Sequence, residues 1–275
     1  MVGWEWDPSL YSGSAAYYAR GRLAYPAALA EAIATALGLD GSGRLLDVGC
    51  GPGSLTLVLA RHFREVVGVD ADREMLAEAG RRADAAGVRD AKWVHLRAEE
   101  LPAGLGRFDL VTFAQSFHWM DRPKVAAAVR GMLNPGGTCA HVHARTSHGT
   151  TSPDPLPYPR PPHTEITELV REYLGPVRRA GQGQLPDGTL DGESEIYRAA
   201  GFTGPARVEV PGRVVTRVTE DLVAAVYSLS SSTPHLFGDG RLAFEADLRE
   251  LLHRTSPSGL FSEQTGDIAV DLWGA

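Results

Sequence analysis

Asp47 stands just ahead of three alternating glycines in the run Leu45-Leu46-Asp47-Val48-Gly49-Cys50-Gly51-Pro52-Gly53. Glycine carries no Cβ, so the chain can turn sharply there and its backbone can lie close against a ligand. Ser54 then opens an apolar helical pattern that runs to Phe63. A helix start presents unpaired N–H groups and the positive end of its dipole, which suit a negative group. Asp47 suits a positive one. A ligand bearing both charges, such as an amino-acid zwitterion, meets both demands. A second acid, Asp70, follows Gly49 by 21 residues, at the end of Glu65-Val66-Val67-Gly68-Val69. A carboxylate so placed can accept from both hydroxyls of a ribose, or it can cap the next helix.

Histidines form the other chemical set. His118 and Trp119 follow the apolar run Arg107–Gln115, and His143 ends the run Thr138–His143. Alternation along that run puts Cys139, His141 and His143 on one face. A His-x-His pair suggests metal, but no third ligand of fitting spacing is visible, so one histidine is assigned to the site mouth and one to the sheet packing. An imidazole titrating near 6.5 can take the proton of an oxygen nucleophile. The alternative is that His118 and His143 serve only shape and hydrogen bonding.

These residues need strands to deliver them to one edge. The pattern predicts strands at 44–49, 65–70, 92–96, 107–115 and 138–143, a sixth at about 206–217 and a last at 267–273. Helices are expected between them, including 122–133 and, further on, about 164–180 and 192–200. An N-terminal helical segment over 1–40 reads either as a cap on the sheet edge or as a lid carrying Tyr18 and Arg22. The prolines between Pro153 and Pro162 make a stiff connector. Segments 145–205 and 218–258 read as helical insertions at the carboxyl edge of the sheet, where open α/β folds bind ligands. The whole is expected to be one domain, with 41–144 as its ligand-binding core.

The acid-first glycine pattern resembles motif I of the class I S-adenosylmethionine (SAM) dependent methyltransferases. It differs from the G-x-G-x-x-G of dinucleotide sites. Further segments agree in order. Tyr18-Ala-Arg-Gly-Arg22-Leu-Ala-Tyr25-Pro26 is similar to a Y-x-x-x-R-P-x-Y-P stretch of small-molecule methyltransferases, with Leu23 in place of Pro. Asp70-Ala71-Asp72-Arg73-Glu74-Met75-Leu76 resembles D-x-S-x-x-M-L, whose Met lies near the adenine. Where the family often has Asp-Ala-Glu this chain has Arg97-Ala98-Glu99, leaving the Ala98 backbone and Glu99 to read the adenine edge. Phe108 to Asp121 resembles the trans-aconitate methyltransferase-like branch through F-D-L-V-T-x-A-Q-x-x-H-W-x-D, and Asn134-Pro135-Gly136-Gly137 matches its turn before strand five.

The resemblance implies a Rossmann-like, seven-stranded, mostly parallel sheet with helices on both faces and an antiparallel last strand. It implies methyl transfer from SAM, leaving S-adenosylhomocysteine (SAH), to a small molecule. The residues it assigns to the cofactor are Tyr18, Arg22, Asp47, Gly49, Cys50, Gly51, Asp70, Ala71, Met75, Ala98, Glu99, Ala114 and Gln115. His118, Trp119 and His143 are assigned to the acceptor, with His118 or His143 as base. No N-P-P-Y follows strand four, which argues against DNA or protein-glutamine substrates, and no acidic cluster of the catechol-type magnesium enzymes can be assembled.

Composition agrees with this reading. At 275 residues and 43% hydrophobic the chain can bury a sizeable core, and a net charge of −7 offers no footprint for nucleic acid or anionic membrane. Two cysteines without disulfide or zinc spacing, and a start without signal-peptide features, point to the cytoplasm. Two other functions remain open. One is a SAM-binding enzyme that cyclises or decarboxylates without methyl transfer, told apart by product mass. The other is a non-catalytic nucleotide-binding module, told apart by the lack of a second cavity beside the methyl.

Overall fold

The computed structural model describes residues 7, 9–152, 154–176 and 192–275. In chain order its elements are α1 (Ala15–Gly21), α2 (Ala27–Leu37), β1 (Arg44–Val48), α3 (Thr56–Leu59), β2 (Glu65–Asp70), α4 (Arg73–Ala86), β3 (Ala91–His95), β4 (Phe108–Ala114), α5 (Arg122–Met132), β5 (Leu133–His143), α6 (His163–Leu174), α7 (Glu193–Ala199), β6 (Thr203–Val210), β7 (Val214–Val218), α8 (Thr219–Tyr227), α9 (Arg241–Thr255), β8 (Leu260–Gln264) and β9 (Ile268–Gly274). The parts expected at 1–6, 8, 153 and 177–191 lie outside the described residues.

Strands buried on both faces read as unbroken apolar runs, and Leu45, Leu46 and Val48 of β1 are each fully buried. They pair into one seven-stranded sheet of order β3-β2-β1-β4-β5-β9-β6. β1, β2, β3, β4 and β5 are parallel neighbours, and β9 runs antiparallel between β5 and β6. Leu46, Val48, Phe113 and Trp273 face α5 and α7, whereas Leu45, Leu110 and Val270 face α2 and α3, so helices cover both faces. A third core, with Leu222, Tyr227, Phe244, Leu248 and Phe261, joins α6, α8 and α9 into a helical layer, and Tyr17 of α1 packs against it.

Four expectations change. The apolar run after Ser54 makes only the single turn α3 and a tighter turn over Ala60–His62. The turn at 134–137 is absorbed into β5, which begins at Leu133 and shifts register against β4. The expected sixth strand is two strands in different sheets, because Pro211-Gly212 breaks it: β6 pairs with β9, and β7 pairs with β8. Finally, α7 packs on the main sheet and not in the helical layer. Its Tyr197 is fully buried, and its ring stacks at 5.2 Å on both Phe117 and Trp273.

Candidate active site

The turn after β1 is built from glycines that are needed for two different reasons. Gly49, Gly51 and Gly53 all have left-handed φ angles, of 69°, 53° and 72°. A Cβ on Gly49 would sit 2.5 Å from Ser116 Cβ, and one on Gly53 would sit 2.8 Å from the Trp93 ring. Those two positions are demanded by packing. Gly51 has nothing within 4 Å of where its Cβ would lie, so it faces open space. The Val69 carbonyl accepts from the Gly49 and Cys50 N–H groups at 2.8 and 3.0 Å, tying the turn to β2. Arg82 of α4 donates to the Pro52 carbonyl at 2.6 Å from the other side.

Asp70 at the end of β2 accepts from the Gly51 N–H through Oδ2 at 2.8 Å and from the Asp72 N–H through Oδ1 at 2.9 Å. The helix cap is Asp72, which accepts from Glu74 and Met75, so Asp70 is not the cap. Burial pushes the Asp70 carboxyl up to about 6 against the pull of those two N–H groups. Asp47 is buried and accepts from Thr56 Oγ1 at 2.5 Å and Thr112 Oγ1 at 2.8 Å. Its partners are hydroxyls, and burial raises its carboxyl against their pull.

Around this turn lies one cleft at the carboxyl edge of the sheet. Tyr18, Arg22, Asp47, Gly49, Cys50, Gly51, Asp70, Ala71, Met75, Ala98, Glu99, Ala114 and Gln115, every residue assigned to the cofactor from the sequence, line it, and so does Trp119. Gln115 holds φ at 59°, a left-handed conformation rare outside glycine and concentrated at functional sites. Glu99 is fixed by accepting from the Asp121 N–H at 2.9 Å. On the lid side, the Arg22 guanidinium carbon lies 4.8 Å from the centre of the Tyr18 ring, and one terminal nitrogen donates to the Ser228 carbonyl at 2.8 Å. Arg22 Nε is buried with no hydrogen-bond partner. Tyr11 bridges Tyr18 and Trp119 through edge-on contacts at 6.2 and 6.0 Å, completing an aromatic wall.

Tyr11, Tyr25 and Arg82 also line the cleft and were not singled out as site residues. Tyr25 stood in the lid motif and was readable there. Arg82, a surface-like arginine on a helix, carried no signal. The dipole expected from a long helix after the turn is largely absent, because α3 is only four residues long. A charge partner for a negative group is supplied by Arg22.

The histidines are elsewhere. Neither His118 nor His143 is among the residues lining the cleft. Burial, helped by the Arg122 charge, pushes His118 down to about 4. His141 is buried with Nδ1 3.0 Å from the Tyr197 hydroxyl, and burial and His143 push it down to about 3. His143 stacks on His141 with ring centres 4.6 Å apart and meets Asp271 through Nε2 at 3.1 Å. The expected alternation is correct, but on the face that carries these rings His141 packs against Tyr197 of α7, and His143 lies half-exposed beside it on Asp271. That leaves no base near 6.5 at His118 and no wall contact for His143.

Comparison with known proteins agrees with this geometry. Residues 45–137 match a family model described as a methyltransferase domain. The chain is 36% identical over 106 residues to a ubiquinone biosynthesis O-methyltransferase of Psychrobacter arcticus, covering 38% of this chain and 41% of that one. It is 33% identical over 169 residues to a malonyl-[acyl-carrier protein] O-methyltransferase of Enterobacter lignolyticus, covering 58% of this chain and 62% of that one. In both, the matched stretch spans less than two thirds of the relative's length. The crystal structure of a candidate methyltransferase from Bacillus halodurans superposes with a TM-score of 0.50 over 90% of this chain and 99% of that one, a likeness of fold at 16% identity. The acid-led glycine turn and the acid ending β2 thus lie in a stretch, residues 45–137, that matches a methyltransferase domain, and the chain as a whole shares its fold with that Bacillus halodurans protein.

Proposed function

We propose that the protein transfers a methyl group from SAM to a small-molecule acceptor, with an oxygen as the favoured nucleophile. The observation that carries this is the cleft itself. It combines an open approach at Gly51, a carboxylate at Asp70 already oriented by two N–H groups, and an unpartnered Arg22 Nε. These fit the cofactor's ribose diol and amino-acid end. Asp70 accepts from the ribose hydroxyls, Arg22 Nε donates to the carboxylate, and Asp47 takes the ammonium. Met75, Ala98 and Glu99 border the adenine. The Tyr18–Tyr11–Trp119 wall would help to exclude water and offers aromatic rings that suit a cationic sulfur. When bound, SAM supplies an electrophilic methyl on a sulfonium, and alignment is the main demand on the protein. Both relatives described above are named as O-methyltransferases, which supports the oxygen acceptor.

The helical layer of α6, α8 and α9, with α1 as lid, serves in this reading as the substrate cover. Two free, buried cysteines and the acidic charge support a cytoplasmic protein with no nucleic-acid partner. Among the described residues no helix is long and apolar enough to cross a membrane, and no group of three or more His, Cys, Asp or Glu side chains could hold a metal ion. Calorimetry with SAM and SAH in the presence of a chelator tests the assignment. Binding of both is expected, and binding of NAD without SAM overturns it. Product mass separates methyl transfer from cyclisation or decarboxylation on the same fold.

A further inference from the structure

A second cavity lies between α6, α8 and the segment that follows β5, and it holds about 1080 Å³ of space with its open mouth included. α8 and the turn after it line it with Leu222, Ala225, Val226 and Leu229, α6 adds Ile166 and Thr167 beside the polar His163, Glu168 and Arg171, and Ser147 and His148 complete it. It adjoins the cofactor cleft at two points of the chain. Thr146 lines the cleft and Ser147 lines the cavity. Arg22 lines the cleft and holds the Ser228 carbonyl, next to Leu229 of the cavity.

The two imidazoles are set differently. His148 Nδ1 lies 2.9 Å from Ser147 Oγ, and its ring centre is 5.3 Å from that of His163. His163 Nε2 is 2.7 Å from Glu263 Oε1, which also accepts from the Gly149 N–H at 2.8 Å. An ionised carboxylate only accepts, so the proton of that contact sits on His163 Nε2 and the neutral ring keeps its lone pair on Nδ1. Glu263 is held in turn by Arg217 at 3.1 Å, both of them buried. A carboxylate that orients an imidazole and stabilises its charged form is the arrangement of a general base.

We propose that this cavity is the acceptor site, that His163 takes the acceptor's proton with Glu263 as its positioning residue, and that the acceptor is a phenol or enol on an apolar ring body. The proposal rests on the methyl-transfer reading above. In the step, the oxygen forms its bond to the methyl carbon while the carbon–sulfur bond breaks and the sulfur keeps that electron pair. The hydroxyl proton passes to His163 Nδ1. The acceptor class follows from matching. A phenolic proton, at about 10 as in tyrosine, is within reach of an imidazole. The apolar side chains of Leu222, Val226 and Leu229 have the chemistry to hold an aromatic body.

The test uses the full chain and 2-naphthol, which becomes a strong acid when excited and emits as the anion once it has given its proton to an acceptor beside it. Wild-type protein saturated with SAH should bind 2-naphthol and show anion emission. Thr167→Tyr, which fills the cavity from α6, should weaken that binding tenfold or more and change SAH binding less than twofold. Ala225→Phe repeats the test from α8 should the first variant fail to fold. His163→Gln should keep binding within threefold and lose the anion emission, and Glu263→Asp should restore part of what Glu263→Gln loses. Naphthol that does not bind, that SAH displaces, that ignores both filling variants or that keeps its anion emission in His163→Gln overturns the proposal. The naphthol measurements are also made without SAH, so a protein that fails to bind SAH defeats the cofactor reading while the cavity is still decided on its own result.

Discussion

The cleft at the carboxyl edge of the sheet and the helical layer beside it are held together by different means. The cleft is made chiefly of short segments, 47–53, 70–75, 96–99 and 114–119, each delivered by the end of one strand and tied to its neighbours by short side chains, among them Asp47, Asp70, Glu99 and Ser116. The layer is fixed by side chains that reach across the chain. Arg217 donates to the Gly21 carbonyl at 2.6 Å, to the Asp221 carbonyl at 2.8 Å, and to Glu263. One guanidinium therefore ties the lid, α8 and β8 together. The difference separates a binding surface that tolerates sequence change outside its motifs from a cover whose integrity hangs on a few buried charges.

Breaking the cover network should produce the largest effect. Glu263→Gln leaves the Arg217 charge buried without its partner, which costs about 3–5 kcal/mol. Burial alone would raise the Glu263 carboxyl, but His163, the Gly149 N–H and Arg217 outweigh it and hold it down at about 2. Its contribution is therefore complete above the ordinary carboxylate value of 4.5 and is lost as pH falls toward about 2. Chemical denaturation across that window should show wild-type stability falling, with the Gln variant flatter. Equal slopes would place the pH dependence on other groups.

Within the cleft, Gly49 and Gly51 offer a matched pair. Gly49→Ala adds a left-handed φ penalty to a 2.5 Å collision with Ser116 and should cost about 2–4 kcal/mol of stability. Gly51→Ala meets no protein atom and should cost about 1–2 kcal/mol for the φ alone, while SAH binding falls more than in any fold-neutral variant. Thermal unfolding and calorimetry on both variants separate the packing glycine from the binding one. Similar profiles for the two would dissolve the distinction.

The same contrast explains what could be read in advance. The strands β1 to β5 and the gathering of the turn residues in one cleft were legible because they depend mostly on residues close in sequence. The break of the sixth strand was visible in principle at Pro211-Gly212, where a Cβ on Gly212 would lie 2.0 Å from the Thr265 carbonyl oxygen. β8 was hidden, since Ser262 and Glu263 place buried polar groups where a strand normally alternates apolar ones. Tyr197 looked like an ordinary helix residue, and only the stacked Phe117 and Trp273 rings, far away in sequence, pull α7 onto the sheet. Periodicity showed that His141 and His143 share a face, but not which face meets the cleft.

Asp70 sharpens the cleft side by itself. Asp70→Ala should weaken SAH binding by about 1.5–3 kcal/mol, the scale of hydrogen bonds to a charged group. The bound hydroxyls favour the carboxylate, so wild-type affinity should decline as pH falls through about 6, where Asp70 takes up its proton. The variant should lack that decline. α4 should stay intact because Asp72 is its cap, and unchanged circular dichroism checks this.

The smallest effect is expected at His118, and it tests whether the cleft ends where its lining residues do. His118 is next to Trp119, with ring centres 5.1 Å apart, yet only Trp119 reaches the cleft. At about 4 its imidazole is neutral throughout the range in which such an enzyme is assayed, so it has no ionisation near 6.5 to contribute. His118→Ala should therefore leave SAH affinity within about 0.5 kcal/mol, the scale of a change away from any special feature. The single-turnover rate against pH should keep its shape between 5 and 8, on the timescale of chemistry and not of release. A lost ionisation in that variant would mean that His118 swings into the cleft when substrate binds, and would move the base from the helical cover to the end of β4.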